Sequence, residues 1–103
     1  MNESEFRKLA EEKGYGEVEQ GDVDPGYDEE MHTHEYSVLS LILAGEFVLT
    51  TDEETTILKA GDWCEIPAHS LHKEQTGAET GTYLAAKNAL HNWEMLFEFS
   101  NAH

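Results

Sequence analysis

Short β-type segments alternate with turn residues along most of this chain, and this pattern constrains the fold more than any other feature. From Tyr15 onward, apolar and β-branched runs are interrupted by clusters such as "GDVDPG" (Gly21 to Gly26), "TDEET", "AGD" and "TGAETG". Each of these clusters is predicted to be a turn or loop. The pattern predicts strands over 46–51, 55–59, 63–66, 72–76 and 82–87, and a long strand, or a strand with a bend, over 31–44. Turn signals about every 8 to 12 residues are typical of an all-β sandwich or barrel.

The two ends of the chain differ from this pattern. Asn2 and Glu5 have the spacing of a capping box, apolar residues then recur at helical spacing, and Gly14 can end a helix in the left-handed conformation. A short helix is therefore predicted over residues 1–14. The tail, residues 88–103, is ambiguous, because Trp93 and Phe97 fit the period of a strand as well as that of a helix.

The chain has 103 residues, which predicts a single domain over residues 1–103 with one compact core. Its longest apolar run, Leu41 to Ala44, is far shorter than the ~20 residues that cross a bilayer. The start, "MNESEFRK", has neither the basic region nor the apolar region of a signal peptide. We therefore expect a cytoplasmic protein that does not insert into a membrane.

Charge and cysteine content exclude several functions. The chain carries 22 acidic and 6 basic residues, for a formal net charge of −16. Binding to nucleic acid needs a basic face that neutralises phosphates, and an anionic membrane surface would repel this protein. Cys64 is the one cysteine, so an intrachain disulfide and a CxxC motif are both excluded. We predict that Cys64 is a buried, unreactive thiol.

Several histidines have spacings that suit a metal site. On an extended strand, His32 and His34 share a face and lie roughly 7 Å apart at Cα, so both rings can approach one point. Neutral imidazole is a common ligand of zinc, iron, nickel and copper. A third ligand must come from elsewhere, and the stretch "AGDWCEIPAHSLHKEQT" offers His69 and His72.

Two stretches, in order, resemble the two motifs of the cupin family. "GYDEEMHTH", which begins at Gly26 and is followed later by Gly45, resembles the first motif, and "GDWCEIPAHSLH", which begins at Gly61, resembles the second. The resemblance runs from Gly26 to Thr76 and continues into "GTYLAAK". It implies a cupin double-stranded β-helix, a jelly-roll-like barrel with its conserved core over residues 26–87. It also implies a metal inside the barrel and a homodimer.

The chain departs from the family pattern at several positions. The first motif usually carries a glutamate three or four residues after its second histidine, where this chain has Val38 and Leu39. Glu35 has the opposite strand parity and is expected to face solvent. The second motif usually has glycine where His69 stands. His69 is therefore open to three interpretations: a substitute ligand, a base that acts on the ligands, or a loop histidine facing water.

By this resemblance the metal ligands are His32, His34 and His72, with no carboxylate, and the cofactor is a divalent ion of iron, zinc, nickel or manganese. Three neutral ligands leave the full charge of the ion uncompensated, which favours an anionic, bidentate small molecule as a further ligand. The alternative is a degenerate barrel in which these histidines form hydrogen bonds and hold no metal.

The predicted wall of the site limits the substrate. Tyr36, Val38, Ser40 and Ile42 share the face of the two paired histidines if the strand is regular, which gives a mostly apolar wall with two hydroxyl groups. The chain has a single arginine, Arg7, in the predicted helix. A phosphate group needs cationic partners, so a small neutral or metal-chelating ligand is favoured over a phosphorylated one.

Three functions fit these features. The first is a metal-dependent enzyme, a dioxygenase for a small chelating substrate, in which Tyr36 or His69 positions the substrate or relays a proton. The second is a non-catalytic module that binds a small ligand or a metal. The third is a structural role with an empty barrel. The fold itself does not decide among them, because one fold hosts many reactions.

Overall fold

The computed structural model describes residues 1–88 and the backbone of residues 98–99. Within these residues, one α-helix precedes eight strands, which we number in chain order. The helix is α1 (Glu3–Glu12), and the strands are β1 (Glu19–Val23), β2 (Ser37–Ala44), β3 (Glu46–Thr51), β4 (Thr55–Lys59), β5 (Trp63–Ile66), β6 (His72–Thr76), β7 (Gly81–Asn88) and β8 (Glu98–Phe99). The described strands form two antiparallel sheets, with the orders β1-β7-β2-β5-β8 and β4-β3-β6. This mostly β architecture with a short N-terminal helix is the one that the sequence predicts.

Helix α1 covers the outer face of the five-stranded sheet. Its Phe6, which is 0% exposed, and its Ala10 pack in one cluster with Leu39, Leu41 and Leu84 of the sheet. A helix of ten residues is marginal in isolation, so its stability comes mainly from this packing. The helix begins with the predicted capping box between the Asn2 and Glu5 side chains and backbones.

The inner face of the same sheet packs against the three-stranded sheet. There Ile42 of β2 joins a second apolar cluster with Phe47, Leu49, Leu58 and Cys64. Because side chains alternate along a strand, β2 buries one set against the helix and the other between the sheets. The double burial explains why its sequence, "SVLSLILA", is almost entirely apolar. Cys64 is 1% exposed, as predicted, and burial raises the pKa of its thiol far above the usual range.

A buried carboxylate ties the end of the helix to the sheet. Glu65 of β5 is 0% exposed and lies on the helix side of the sheet. The Lys13 ammonium lies 2.9 Å from its Oε1 atom, and the Tyr15 hydroxyl donates a hydrogen bond of 2.6 Å to its Oε2 atom. The charge of this carboxylate is thus matched within the protein, as a buried charge requires.

The predicted long strand over 31–44 bends. The backbone bends at Glu35 and Tyr36, and β2 begins only at Ser37. Before the bend, His32 forms an isolated antiparallel bridge with His72, with N–O distances of 2.8 and 3.0 Å. This segment therefore lies beside the three-stranded sheet, whereas β2 belongs to the five-stranded sheet. The bend connects the two sheets at the point where the histidines lie.

The prediction of a turn cluster over Gly21 to Gly26 was wrong in part. Gly21, Asp22 and Val23 belong to β1 and pair with β7, and the turn is confined to Pro25 and Gly26. Pairing with β7 satisfies the backbone of this segment, and this tertiary interaction outweighs the local turn preference of its residues.

Most of the C-terminal tail lies outside the described residues. Asn88, which the sequence analysis placed in the tail, is the last residue of β7, and β8 pairs with β5 through Cys64–Phe99 and Glu65–Glu98. The choice between strand and helix for the remaining tail residues stays a prediction. Within the described residues, no helix has the length and apolar character needed to span a membrane.

Candidate metal centre

Three histidines meet where the two sheets diverge. His32 and His34 lie on the segment before the bend, and His72 is the first residue of β6. The ring centroids are 4.7 Å apart for His32 and His72, 4.8 Å for His32 and His34, and 5.1 Å for His34 and His72. One potential ligand atom from each residue lies within 4.8 Å of the other two. The structure therefore brings together the three residues that the cupin resemblance assigns to the metal.

Backbone carbonyl groups orient two of the three rings. The Nδ1 atom of His32 lies 2.7 Å from the Glu30 carbonyl oxygen, and the Nδ1 atom of His72 lies 2.9 Å from the Ser70 carbonyl oxygen. Each Nδ1–H can donate to its carbonyl group, and this leaves the Nε2 lone pair free to bind a metal. Metal-binding histidines are commonly oriented in this way.

The surroundings of His34 and His72 favour the neutral form of each imidazole. Burial lowers the pKa of His34, and repulsion from protonated His72 and His32 lowers it further. Burial also lowers the pKa of His72, although its hydrogen bond to the Ser70 carbonyl opposes this shift. A metal ion binds the neutral form of imidazole, so both shifts favour metal binding over protonation.

The donor set fits a divalent transition metal. Donor atoms that share one metal at bonds of about 2.1 Å and angles of about 90–110° lie about 2.9–3.4 Å apart. The Nε2 atoms of His32 and His34 are 3.2 Å apart, which already matches this spacing. Imidazole nitrogens bind iron, zinc, nickel and manganese with little selectivity among them. They disfavour calcium, which prefers oxygen ligands.

His69 lies in the loop before β6, and its side chain is exposed. Its backbone has a φ of +66°, in the region that favours glycine, and its N–H donates a hydrogen bond of 2.7 Å to the His34 carbonyl. This conformation accounts for the glycine usual at this position of the second motif. Among the described residues, the imidazole of His69 is neither in the histidine cluster nor in the wall of the cavity.

A cavity of about 500 Å³ opens beside the three histidines, between the two sheets. Tyr36, Val38, Ser40 and Ile42 all line it, as the strand parity predicts. The Tyr36 ring stacks on the His34 ring, with centroids 4.9 Å apart. The volume is within the range of small-molecule sites, and the deeper wall is apolar. Glu35, on the opposite parity, is exposed as expected.

Carboxylates outnumber cations in the wall of this cavity. Asp22, Asp24, Glu29 and Glu74 line it, and among the described lining residues Lys87 is the one lysine or arginine, with its Nζ atom 4.8 Å above the Tyr36 ring. A phosphate dianion would meet net repulsion in such a cavity. That the ligand carries no phosphate group stays a prediction.

Two of these acidic residues are functional candidates that the sequence analysis missed. Glu74 lies two residues after His72 on β6, so strand parity alone could have placed it in the cavity. Burial, followed by repulsion from Glu29, raises the pKa of Glu74 to about 7, and protonated His32 opposes this shift. Glu29 lies on an irregular segment, where no periodicity indicates the direction of a side chain.

The fold and the site now define the class of this protein. The family model described as the cupin domain matches residues 20–85, which is most of the chain, and the chain belongs to the cupin family. The match confirms the resemblance first inferred from the two motifs. None of the curated proteins compared with the chain matches it.

Several solved structures are similar in fold. A cupin superfamily protein from Desulfitobacterium hafniense is 26% identical, with a TM-score of 0.59, over 67% of this chain and 62% of that one. A protein of unknown function from Rhizobium leguminosarum is 18% identical, with a TM-score of 0.64, over 68% and 66% of the two chains. A cupin protein from Bacteroides fragilis is 24% identical, with a TM-score of 0.58, over 77% and 70%. The chain thus spans just under two thirds of the first two structures.

Proposed function

We propose that this cupin holds one divalent metal ion through His32, His34 and His72 and binds a small chelating molecule in the adjacent cavity. The observation that carries the proposal is the convergence of three imidazoles, two of them oriented through Nδ1, at the edge of a cavity of about 500 Å³. The protein supplies few cations there, so the metal itself is the main binding partner for an electron-rich ligand.

A dioxygenase-type reaction is the activity we propose for this site. When bound, an iron(II) ion with three protein nitrogen ligands supplies open positions for dioxygen and for a chelating substrate. Tyr36 is placed to position that substrate, because its ring lies against His34 and beneath the Lys87 ammonium. The apolar side chains deeper in the cavity exclude water from the bound molecule.

The experiment is a measurement of bound metal. Untagged protein and a His32→Ala/His34→Ala variant are purified in parallel, and metal content is determined by mass spectrometry. A His69→Ala variant is the matched control, because it also removes imidazole but lies outside the cluster. We expect nearly one iron, zinc, nickel or manganese per chain in the parent and in the control, and little in the double variant.

The outcomes separate the candidate functions. If the parent contains no metal and does not bind added metal, the metal-site proposal is wrong. If it binds iron(II), oxygen uptake with small chelating compounds tests the dioxygenase activity. Metal binding without oxygen uptake would favour the non-catalytic binding module instead. Homodimer formation and cytoplasmic location stay predictions from the sequence.

A further inference from the structure

We propose that the carboxylate of Glu29 is a fourth protein ligand of this metal site and takes the place of the glutamate that the first motif lacks at Val38 and Leu39. The inference rests on the proposed metal-binding function. Glu29 precedes both histidines of the first motif and lies outside the set of ligands that the cupin resemblance assigns. Its position is evident only in the folded chain.

The Glu29 carboxylate lies close enough to the His32 ring to share a metal ion with it. The Oε2 atom of Glu29 lies 3.3 Å from the Nε2 atom of His32, and the Nε2 atom of His34 lies 3.2 Å from the same nitrogen. Both separations match the spacing of about 2.9–3.4 Å between atoms that share one metal. The Glu29 oxygen is thus about as close to the His32 nitrogen as the nitrogen of the proposed ligand His34 is.

Backbone hydrogen bonds hold the segment around Glu29 against β6. The Gly26 N–H donates to the Gly77 carbonyl at 2.9 Å, and the Thr76 N–H donates to the Tyr27 carbonyl at 3.1 Å. The Thr76 hydroxyl also accepts a hydrogen bond of 2.8 Å from the Tyr27 N–H. A ligand on a segment anchored in this way loses little conformational freedom when a metal binds.

Hydrogen bonds also orient the Glu29 carboxylate itself. Its Oε1 atom accepts a hydrogen bond of 2.6 Å from the Tyr27 hydroxyl, and its Oε2 atom accepts one of 3.0 Å from the Glu74 N–H. A carboxylate oxygen has two lone pairs, so Oε2 can bind a metal and keep this contact. Partners of this kind, which fix a ligand from behind, are typical of metal sites.

A fourth ligand from Glu29 would change the charge of the metal site. A carboxylate ligand cancels one unit of the metal charge that three neutral imidazoles leave uncompensated. Oxygen ligands also suit manganese and iron(II) better than softer ions. A site of three nitrogens and one carboxylate oxygen would therefore bind metal more tightly than a site of three imidazoles alone. It would also attract anionic ligands less.

Cobalt(II) is the probe for the test, because its visible absorption reports the number and type of ligands. Metal-free parent, Glu29→Gln, Glu29→Asp and Glu30→Gln proteins are titrated with Co²⁺ by calorimetry and by absorption. Glu30→Gln is the matched control: it removes the same charge one residue away, on a side chain that is exposed and is not part of the cavity wall. Thermal melting of each metal-free protein verifies that it is folded.

We expect Glu29→Gln to raise the Co²⁺ dissociation constant about 100-fold and to change the visible spectrum, since loss of an outer partner alone typically costs 10- to 100-fold. Glu29→Asp keeps the charge but shortens the side chain by one methylene, so it should weaken binding by about tenfold or more. Glu30→Gln should leave the spectrum unchanged and alter affinity by less than about threefold.

Other outcomes overturn the assignment at different levels. Parent protein that binds no Co²⁺ contradicts the metal site itself. Parent and Glu29→Gln proteins with the same affinity and spectrum leave a three-histidine site without Glu29. Weaker binding with an unchanged spectrum shows that the Glu29 charge attracts the metal ion without binding it directly, and this also refutes ligation.

Discussion

Truncation of Phe6 to alanine should destabilise the fold and leave the metal site intact. Phe6 is 0% exposed and packs α1 onto the outer face of the five-stranded sheet. An aromatic side chain that buries about 150 Å² at about 25 cal/mol/Å² contributes about 4 kcal/mol. Large-to-small core substitutions of this type cost about 3–5 kcal/mol. We therefore expect the free energy of unfolding to fall by about 4 kcal/mol.

The assay is urea unfolding of the metal-free protein, followed by circular dichroism. With a slope near 1.5 kcal/mol/M, a loss of about 4 kcal/mol lowers the midpoint by about 2.5 M. Lys8→Ala is the control, because it changes an exposed residue on the same helix and should alter stability by less than about 0.5 kcal/mol. If Phe6→Ala does not remain folded, Phe6→Leu gives a smaller loss of about 1 kcal/mol.

Metal binding provides the second half of this test. The three histidines lie on the interior side of the sheet, opposite the face that α1 covers. The folded Phe6→Ala protein should therefore bind Co²⁺ with the affinity of the parent. A loss of stability below about 1 kcal/mol, or an equal loss in Lys8→Ala, would refute the placement of Phe6 in the core.

Three further predictions concern the fold and the buried thiol. Tyr15→Phe removes a hydrogen bond to the buried Glu65 carboxylate and should lower the free energy of unfolding by about 1.5–3 kcal/mol, as measured in urea. Gly45→Ala should cost more than about 1 kcal/mol in the same assay, because the glycine φ is +75° and a Cβ atom would collide with the Thr80 carbonyl oxygen. Burial raises the pKa of the Cys64 thiol, so almost no thiolate forms near pH 8 and a thiol reagent should react slowly. The reaction should become rapid in urea, and fast labelling of the native protein would contradict the burial.

The sequence predicted the secondary structure where local pattern and tertiary environment agree. The strands over 46–51, 55–59, 63–66 and 72–76 have the predicted bounds, because clear turn signals separate them in the sequence. The capping box of α1 was also predictable, since it depends on two residues three apart. The strand over Gly21–Val23 was not, because its partner β7 lies some sixty positions away in the sequence, and local turn preference gave the opposite result.

Some features of the candidate site were likewise predictable from the sequence, and others were not. His32, His34 and His72 were identified from motif spacing, and parity along the predicted strand over 31–44 placed Tyr36 and Val38 in the cavity wall. That result holds although the strand is bent, because the bend keeps the later residues facing the space between the sheets. The sequence left the role of His69 open, and only the structure shows that its side chain is exposed and lies, among the described residues, outside the histidine cluster and the cavity wall.

The sequence by itself determined the β architecture, the cupin family and the three histidines, because period, turn chemistry and motif spacing are local properties. Only the tertiary structure decided what lies around those histidines. The Glu29 carboxylate comes within 3.3 Å of His32 because hydrogen bonds to Thr76 and Gly77 hold its segment along β6. Those contacts join residues about fifty positions apart, and the direction of a side chain on an irregular segment is set by such contacts rather than by any repeating pattern.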